Sequence, residues 1–367
     1  MSKKLYIGVN NVARKIKKGY IGVGGVARKI KKAYIGIGGV ARPCFSSGGL
    51  EYYGTITPLS VARENLVATT VGNYAVFGGG YGTSSVTAVE AYDTSLTTSM
   101  PEALGNGGSG MSATTVGNYA VFQAGGWIHA YDTSLTKTSV LLSYSGTIDR
   151  PASTTVGNYA VFGCLYYNST DVFAIGTDLT EIALTNISTS RYRSAATTVG
   201  NYAVFAGGLT SSNSGSACSI VDAYNTSLTR STPEELYNKR GALSATTVGN
   251  YAVFAGGTSG SYSNSVETYD TSLTRKTTGN LTSKRARIAA TTVGNYAVFA
   301  GGQTSSGVSA IVDLYSGSLT RHTATELSQA RYNLAATTVG NYAVFGGGYV
   351  AYKTYSDVVD AYVYIPE

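Results

Sequence analysis

The chain has 367 residues, of which 43% are hydrophobic and only 13% are charged. This apolar content suffices for a large core and excludes a globally disordered chain. No apolar run approaches the roughly 18 residues of a membrane-spanning helix. The three cysteines lack C-x-x-C spacing, and their odd number argues against a disulfide-stapled domain. The many glycines and tyrosines, 46 and 30, are typical of short strands joined by tight turns.

The first 43 residues carry most of the positive charge. They hold eleven Lys and Arg residues and no acidic residue, whereas the whole chain has a net charge of +7. A 14-residue repeat runs through them, from Tyr-Ile-Gly to Val-Ala-Arg. Asn-Asn or Gly-Gly stands between the two apolar halves of each repeat, which is typical of type I′ β-hairpins. We therefore expect residues 1–44 to form a small basic module of β-hairpins, with residues 45–51 as a linker.

Hairpins of this size bury too little apolar surface to be stable alone, so we expect this module to dock on a partner. Strand edges, tyrosines and basic side chains are the available contacts. The candidate docking residues are Tyr6, Arg14, Lys15, Tyr20, Arg28, Lys29, Tyr34 and Arg42. Their charge favours an acidic protein surface. Nucleic acid is an alternative partner, and lysines that merely keep a β-edge soluble are another interpretation.

The phrase Lys-Lys-x-Tyr-Ile-Gly-Val-x-Gly-Val-Ala-Arg, at residues 17–28, resembles N-terminal segments of virion and tail-associated proteins from phages of Gram-positive bacteria. The resemblance covers about 43 residues. It implies an anchor on a phage particle, contacts with other virion proteins and a C-terminal display domain. We expect no signal peptide, because the basic N-terminus lacks a continuous apolar segment. Assembly in the host cytoplasm and release by lysis are consistent with that expectation.

The body of the chain is a second, longer repeat. The phrase Thr-Thr-Val-Gly-Asn-Tyr-Ala-Val-Phe occurs seven times without change, with its glycine at positions 72, 117, 157, 200, 249, 294 and 340. Each repeat predicts four short strands, with a Gly-Asn hairpin turn between the first two and an Asx-turn after the third. Four strands in roughly 40–50 residues, repeated seven times, predict a β-propeller.

An apolar strand ending in Gly-Gly and then Val-x-x-Tyr-Asp resembles the kelch family over residues 52–367. The resemblance implies an all-β, seven-bladed kelch-like propeller and no single activity. The chain departs from the family in lacking the Trp of kelch blades. Its third blade also departs, with Cys164 in the diglycine and Phe173 expected at the place of the Tyr. Because the last repeat lacks a fourth strand, we expect residues 52–59 to supply it and close the ring.

The loops between strands two and three, and those between blades, fall on one face and vary in length and content. They are rich in Ser, Gly, Tyr and Asn, a composition typical of antibody paratopes. This favours a face that binds carbohydrate or protein at a host surface, although drift in unconstrained loops is an alternative. The candidate contact residues are Tyr81, Trp127, Tyr262, Tyr349 and Tyr352.

An arginine recurs nine residues before the motif glycine in five blades. These residues are Arg63, Arg191, Arg240, Arg285 and Arg331. We expect a near-circular set at the blade junctions. Two interpretations are open: the arginines bind an anionic ligand at the mouth of the channel, or they bind backbone carbonyls between blades.

The residues of common catalytic and cofactor sites are scarce. The only histidines, His129 and His322, occupy unrelated positions in different blades. No His, Cys and carboxylate cluster has metal-ligand spacing, and the glycine-rich turns lack the Lys-Ser/Thr of a phosphate loop. The sequence therefore predicts a non-enzymatic protein with no cofactor or metal. A nucleic-acid-contacting assembly protein and a carbohydrate-active enzyme remain alternatives, and a homo-oligomer stays open.

Overall fold

The computed structural model describes residues 49–144, 148–166 and 168–366, and the backbone of six strands before residue 47. Those six strands pair as three antiparallel hairpins. The pairs are Tyr6–Val9 with Val12–Lys15, Gly19–Val23 with Val26–Ile30, and Lys32–Ile37 with Val40–Ser46. The predicted turns at residues 10–11, 24–25 and 38–39, and the side chains of the candidate docking residues, lie outside the described part of the chain.

Residues 49–366 form a β-propeller of seven four-stranded antiparallel blades, as expected from the kelch-like repeat. The first strands line the central channel. They are Val67–Val71, Ser112–Val116, Ala152–Val156, Ala195–Val199, Ser244–Val248, Ala289–Val293 and Ala335–Val339. The second strands are Tyr74–Gly78, Tyr119–Ala124, Tyr159–Gly163, Tyr202–Ala206, Tyr251–Ala255, Tyr296–Ala300 and Tyr342–Gly346. The second strands are buried on both faces.

The outer half of each blade is less regular. The third strands are Val89–Asp93, Trp127–Tyr131, Phe173–Gly176, Val221–Asn225, Val266–Asp270, Val312–Ser316 and Val359–Ile365. The fourth strands are Thr98–Ser99, Lys137–Leu141, Glu181–Ala183, Arg230–Ser231, Arg275–Thr277, Arg321–Thr323 and, from before blade one, Gly49–Ile56. Small hairpins pair Gln303–Thr304 with Gly307–Val308 and Tyr349–Ala351 with Thr354–Tyr355. The described residues include one 3-10 helix, Ser214–Ser216, and no helix long and apolar enough to span a membrane.

The repeated sequence explains the two kinds of turn. Gly72 has a φ of 53°, whereas Asn73 is not among the residues with positive φ, which is the pattern of a two-residue type II′ hairpin. In the turn after the third strand, Asp93 Oδ1 accepts hydrogen bonds from the N–H groups of Ser95 and Thr97 at 2.8 and 2.9 Å. This is the predicted Asx-turn.

The cores lie between neighbouring blades. The motif Phe meets the third-strand Tyr edge to face, as Phe77 and Tyr92 do with ring centroids 5.8 Å apart. The Tyr92 hydroxyl then donates to the carbonyl of Thr57, in the segment that enters the blade. One cluster contains both rings together with Val344 and Val359 of blade seven. The apolar packing is therefore continuous across the point where the ring closes.

Two rings of threonine hydrogen bonds encircle the channel. Seven Thr–Thr bonds of 2.7–2.9 Å join each blade to the next: 69 to 115, 114 to 155, 154 to 198, 197 to 247, 246 to 292, 291 to 338 and 337 to 70. The second threonine of each pair also donates to a backbone carbonyl of the preceding blade, as Thr115 Oγ1 does to Thr70 at 2.5 Å. The Thr-Thr of the repeat therefore cross-links all seven blades.

The closing strand is where expected in topology but not in its bounds. Gly49–Ile56 pairs with Val359–Ile365 and completes blade seven. The predicted strand at 52–59 therefore begins three residues too late, and the predicted linker at 45–51 overlaps it. The reason is the length of the partner strand, whose last residues, Tyr364 and Ile365, pair with Leu50 and Gly49.

Blade three needs a second correction. The register pairs Ala160 with Ile175 and Phe162 with Phe173. Ile175 therefore takes the place of the Tyr, and Phe173 takes the place that Glu90 has in blade one. Phe173 stacks on Phe162 with centroids 5.0 Å apart. The expectation failed because Cys164 and Leu165 replace the diglycine and Gly176 replaces the Asp that follows the Tyr in blade one, so the third strand lacks the markers of its register.

Candidate ligand-binding face and channel mouth

The segments between blades and the loops between strands two and three lie together, as predicted. Isolated β-bridges join them in five blades: Glu64 to Tyr81, Tyr192 to Leu209, Gly241 to Thr258, Ala286 to Gln303, and Tyr332 to Tyr349. We call this surface the variable face. The Gly-Asn turn of one blade instead adjoins the Asx-turn of the next, as Gly72 adjoins Thr133.

The five recurring arginines are buried, each at most 1% exposed. Each one pairs with an acid on the third strand of its own blade. The pairs are Arg63–Glu90, Arg191–Asp222, Arg240–Glu267, Arg285–Asp313 and Arg331–Asp360. Burial would raise the pKa of Glu90, but the hydrogen bond and charge of Arg63 outweigh it and lower the pKa below its usual value. Of the two interpretations of these arginines, the geometry favours the structural one.

The carbonyls that these side chains bind belong to their own blade, not to its neighbour. Arg191 Nη1 donates to Thr189 and Nη2 donates to the motif residue Phe205. The link between blades comes instead from the backbone, since the N–H of Gly208 donates to the carbonyl of Arg240 at 2.9 Å. A Cβ on Gly207, whose φ is +63°, would lie 2.4 Å from that carbonyl oxygen. The diglycine thus permits the close approach of the next blade.

A signal for this pairing was present in the sequence. Blades two and three have Gly108 and Ile148 at the arginine position, and they have His129 and Phe173 at the acid position. Arginine and acid are therefore present together or absent together in every blade. Reading the two positions jointly would have identified an internal ion pair.

A different set of arginines lies at the mouth of the channel on the variable face. The residue two positions after each recurring arginine lines a cavity of about 360 Å³, to which all seven blades contribute. Arg193 and Arg287 hold this position in blades four and six, and Arg150 holds it in blade three. All three have left-handed backbone, with φ between 52° and 56°. The repeat period does not single out Arg193 and Arg287, because arginine holds this position in only three blades.

A row of four tyrosines crosses the variable face toward this mouth. We call Tyr81, Tyr355, Tyr349 and Tyr332 the tyrosine row. Successive ring centroids are 6.4, 6.2 and 4.8 Å apart. At its inner end the Arg287 guanidinium lies 5.4 Å from the Tyr332 ring centroid. Two of the candidate contact residues, Tyr81 and Tyr349, belong to the row.

No family model matches the chain, and no curated protein does. The geometry of the variable face is therefore the basis for any functional argument.

The remaining candidates lie outside the tyrosine row. Tyr352 is 81% exposed beside Lys353, and Tyr262 is half-buried and contributes to the raised pKa of Tyr332, whose main cause is desolvation. Trp127 stacks on His129 in blade two. Across the described residues, no group of three or more His, Cys, Asp or Glu is placed to hold a metal ion.

Proposed function

We propose that the chain is a non-enzymatic recognition protein of a phage particle, which binds a cell-surface saccharide through its variable face. The tyrosine row is the observation that carries this proposal. Tyr81 is 39% exposed and the other three rings are half-buried. The row is therefore partly accessible at the surface, and its rings pack against one another, edge to face in the Tyr81–Tyr355 and Tyr349–Tyr355 pairs and tilted by 31° in the Tyr332–Tyr349 pair.

Such a row suits a saccharide chemically. Tyrosine combines an apolar ring with a hydroxyl that donates and accepts hydrogen bonds, and it loses little conformational entropy on binding. A sugar presents the matching surfaces, namely C–H faces and hydroxyl groups. The row is also supported from within the fold, because the N–H of Tyr349 donates to the carbonyl of Tyr332 at 2.7 Å. Its geometry is thus set before any ligand arrives.

Binding is favoured over catalysis by the state of the one buried histidine. His129 Nδ1 lies 2.8 Å from Ser139 Oγ, which is the spacing of a base and a nucleophile. Its ring, however, is 2% exposed and packs beneath Trp127. Desolvation is the main cause that lowers its pKa. This arrangement supports a packing role for His129 in the outer half of blade two.

The saccharide proposal is tested by glycan-array binding of the full chain and of single tyrosine variants. We expect Tyr81→Ala and Tyr355→Ala to weaken binding at least tenfold. Tyr237→Ala is the matched control, since Tyr237 is 74% exposed and lies outside the row. Equal losses in all three variants, or no saccharide bound by the wild type, would overturn the proposal. Binding of single-stranded DNA that falls steeply with salt would favour the nucleic-acid alternative instead.

The particle assignment rests on the N-terminal repeat and its resemblance to virion proteins. It is tested by labelling particles from the source culture with an antibody against residues 50–367, followed by negative-stain microscopy. Label at the tail tip or baseplate supports host recognition. Label over the head supports a decoration protein, and absence of label from particles overturns the virion assignment.

A further inference from the structure

An arc of backbone hydrogen bonds runs along five of the seven blades at the mouth of the channel. The N–H of Ala242 donates to Arg193, that of Arg287 to Ala242, that of Asn333 to Arg287 and that of Asn65 to Asn333, over 2.8–3.3 Å. These residues come from blades four, five, six, seven and one. Their shared left-handed conformation places them around the opening. The backbone of the two arginines in this arc, Arg193 and Arg287, is therefore held in place on the rim.

The positive charge at this rim lacks the neutralising partners that the recurring arginines have. Among the described residues, no ion pair or hydrogen bond engages the guanidinium groups of Arg150, Arg193 or Arg287, and the buried Nε atoms of Arg150 and Arg193 have no hydrogen-bond partner. Desolvation, then Arg150 and, more weakly, Arg287 lower the pKa of Arg193. Arg193 thus lies in the fields of the other two arginines, which is unfavourable unless an anion joins them.

Two acids lie near the mouth and do not remove this excess. Asp149 acts on Arg193 electrostatically and lies beside Gly110 of blade two. Glu64 Oε2 accepts a hydrogen bond from Asn333 Nδ2 at 2.7 Å. Three arginines therefore face two carboxylates, so a positive excess remains at the mouth.

We propose that Arg150, Arg193 and Arg287 form a site for the anionic group of an acidic saccharide at the mouth of the channel. The inference rests on the proposed saccharide-binding function and adds the class of sugar. A cavity of about 360 Å³ is at the small end of ligand sites, which suits one or two sugar rings. The Arg193 and Arg287 guanidinium groups lie 5.2 and 5.4 Å from the ring centroids of Tyr192 and Tyr332.

These stacked guanidinium groups explain the preference for an anion on a sugar. Arginine binds carboxylate and phosphate oxygens through two parallel N–H groups, and a ring beneath its plane holds that fork in place. Arg287 also ends the tyrosine row, so one ligand can place its acidic group in the mouth and its neutral rings over the tyrosines. An acidic peptide lacks the saccharide rings that this row would stack against.

The test measures binding of glucuronate, glucose 6-phosphate and glucose to the full chain by calorimetry, at low and at physiological salt. We expect either or both anions to bind at least tenfold more tightly than glucose, with the preference weakened by salt. Comparison of the two anions shows whether the site prefers the carboxylate of a sugar acid or the phosphate of a sugar phosphate. Arg193→Gln and Arg287→Gln should each remove the preference, whereas Lys239→Gln, an exposed charge outside the mouth, should keep it.

The outcomes separate this inference from the function on which it rests. Equal binding of glucose and both anions, lost only in the tyrosine-row variants, would overturn the anion site and leave saccharide recognition standing. Binding of an acidic peptide in place of any sugar would overturn the ligand class. The melting temperature of unliganded Arg193→Gln should equal or exceed that of the wild type, because it relieves repulsion. A marked fall would indicate a structural arginine and contradict the site.

Discussion

Arg63 Nη1 donates to Glu90 Oε1 at 3.1 Å inside blade one, where the two side chains are 0% and 1% exposed. The backbone N–H of Ser60 donates to the same oxygen at 3.0 Å. Removing one partner of such a pair leaves the other charged and desolvated, whereas replacing both by apolar groups is often tolerated. Blade three shows the second situation, with Ile148 and Phe173 at the two positions.

A double-mutant cycle on Arg63 and Glu90 should therefore be strongly non-additive. We expect Arg63→Ile alone to lower the free energy of unfolding by about 3–5 kcal/mol, because Glu90 loses its buried partner. Adding Glu90→Phe copies the pair of blade three and should recover at least half of that loss. Chemical denaturation of the wild type, both single variants and the double variant measures the coupling. Simple addition of the two single effects would contradict this account.

The same pair predicts a loss of stability in acid. The pKa of Glu90 is lower in the folded state than its usual value of 4.5. The contribution of ionised Glu90 to the free energy of unfolding is therefore complete above about pH 4.5. It is lost as the pH falls through the lower pKa of the folded state. The difference in unfolding free energy between the wild type and Glu90→Gln should be constant at neutral pH and shrink below pH 4.5. A difference that does not change with pH would show that Glu90 contributes by shape alone.

Strand order, blade number and ring closure were all accessible from the sequence, because seven unaltered motifs fix the register of strands one and two. The bounds of the closing strand were not accessible from the sequence. Gly49 and Leu50 are typical of a linker, and only the pairing with Tyr364 and Ile365 makes them part of a strand. Local sequence does not reveal such a distant partner.

The site was predicted less completely than the fold. The recurring arginines were found, but their burial depends on Glu90 and its counterparts, about 27–31 residues away. Arg193 and Arg287 break the repeat, so periodicity does not reveal them. The tyrosine row joins residues 81, 332, 349 and 355, which come together only because blade seven closes against blade one.

Closure by Gly49–Ile56 predicts different behaviour for two truncated chains. A chain of residues 49–367 keeps the strand and should melt within a few degrees of the full chain. A chain of residues 57–367 loses Leu50 and Tyr52, which pack on the core, and the bond from the Tyr52 hydroxyl to Asp360 Oδ1 at 2.7 Å. We expect it to lose at least about 3 kcal/mol and to self-associate through the exposed edge of Val359–Ile365. Calorimetry and light scattering test both expectations, and equal melting of the two chains would contradict the closure.

The threonine rings predict that one missing hydroxyl destabilises two blades. Thr115 Oγ1 donates its proton to the Thr70 carbonyl, so Thr69 must be the donor in its 2.8 Å bond to Thr115. Thr115→Val keeps the shape of the side chain but leaves that carbonyl and the Thr69 hydroxyl without these partners. We expect a loss of about 1–3 kcal/mol of unfolding free energy, measured by denaturant titration. Thr136→Val, at an exposed position, should change it by less than about 0.5 kcal/mol. Equal effects in the two variants would mean that water replaces the lost bonds in the channel, and that packing between blades, rather than the threonine rings, holds the ring closed.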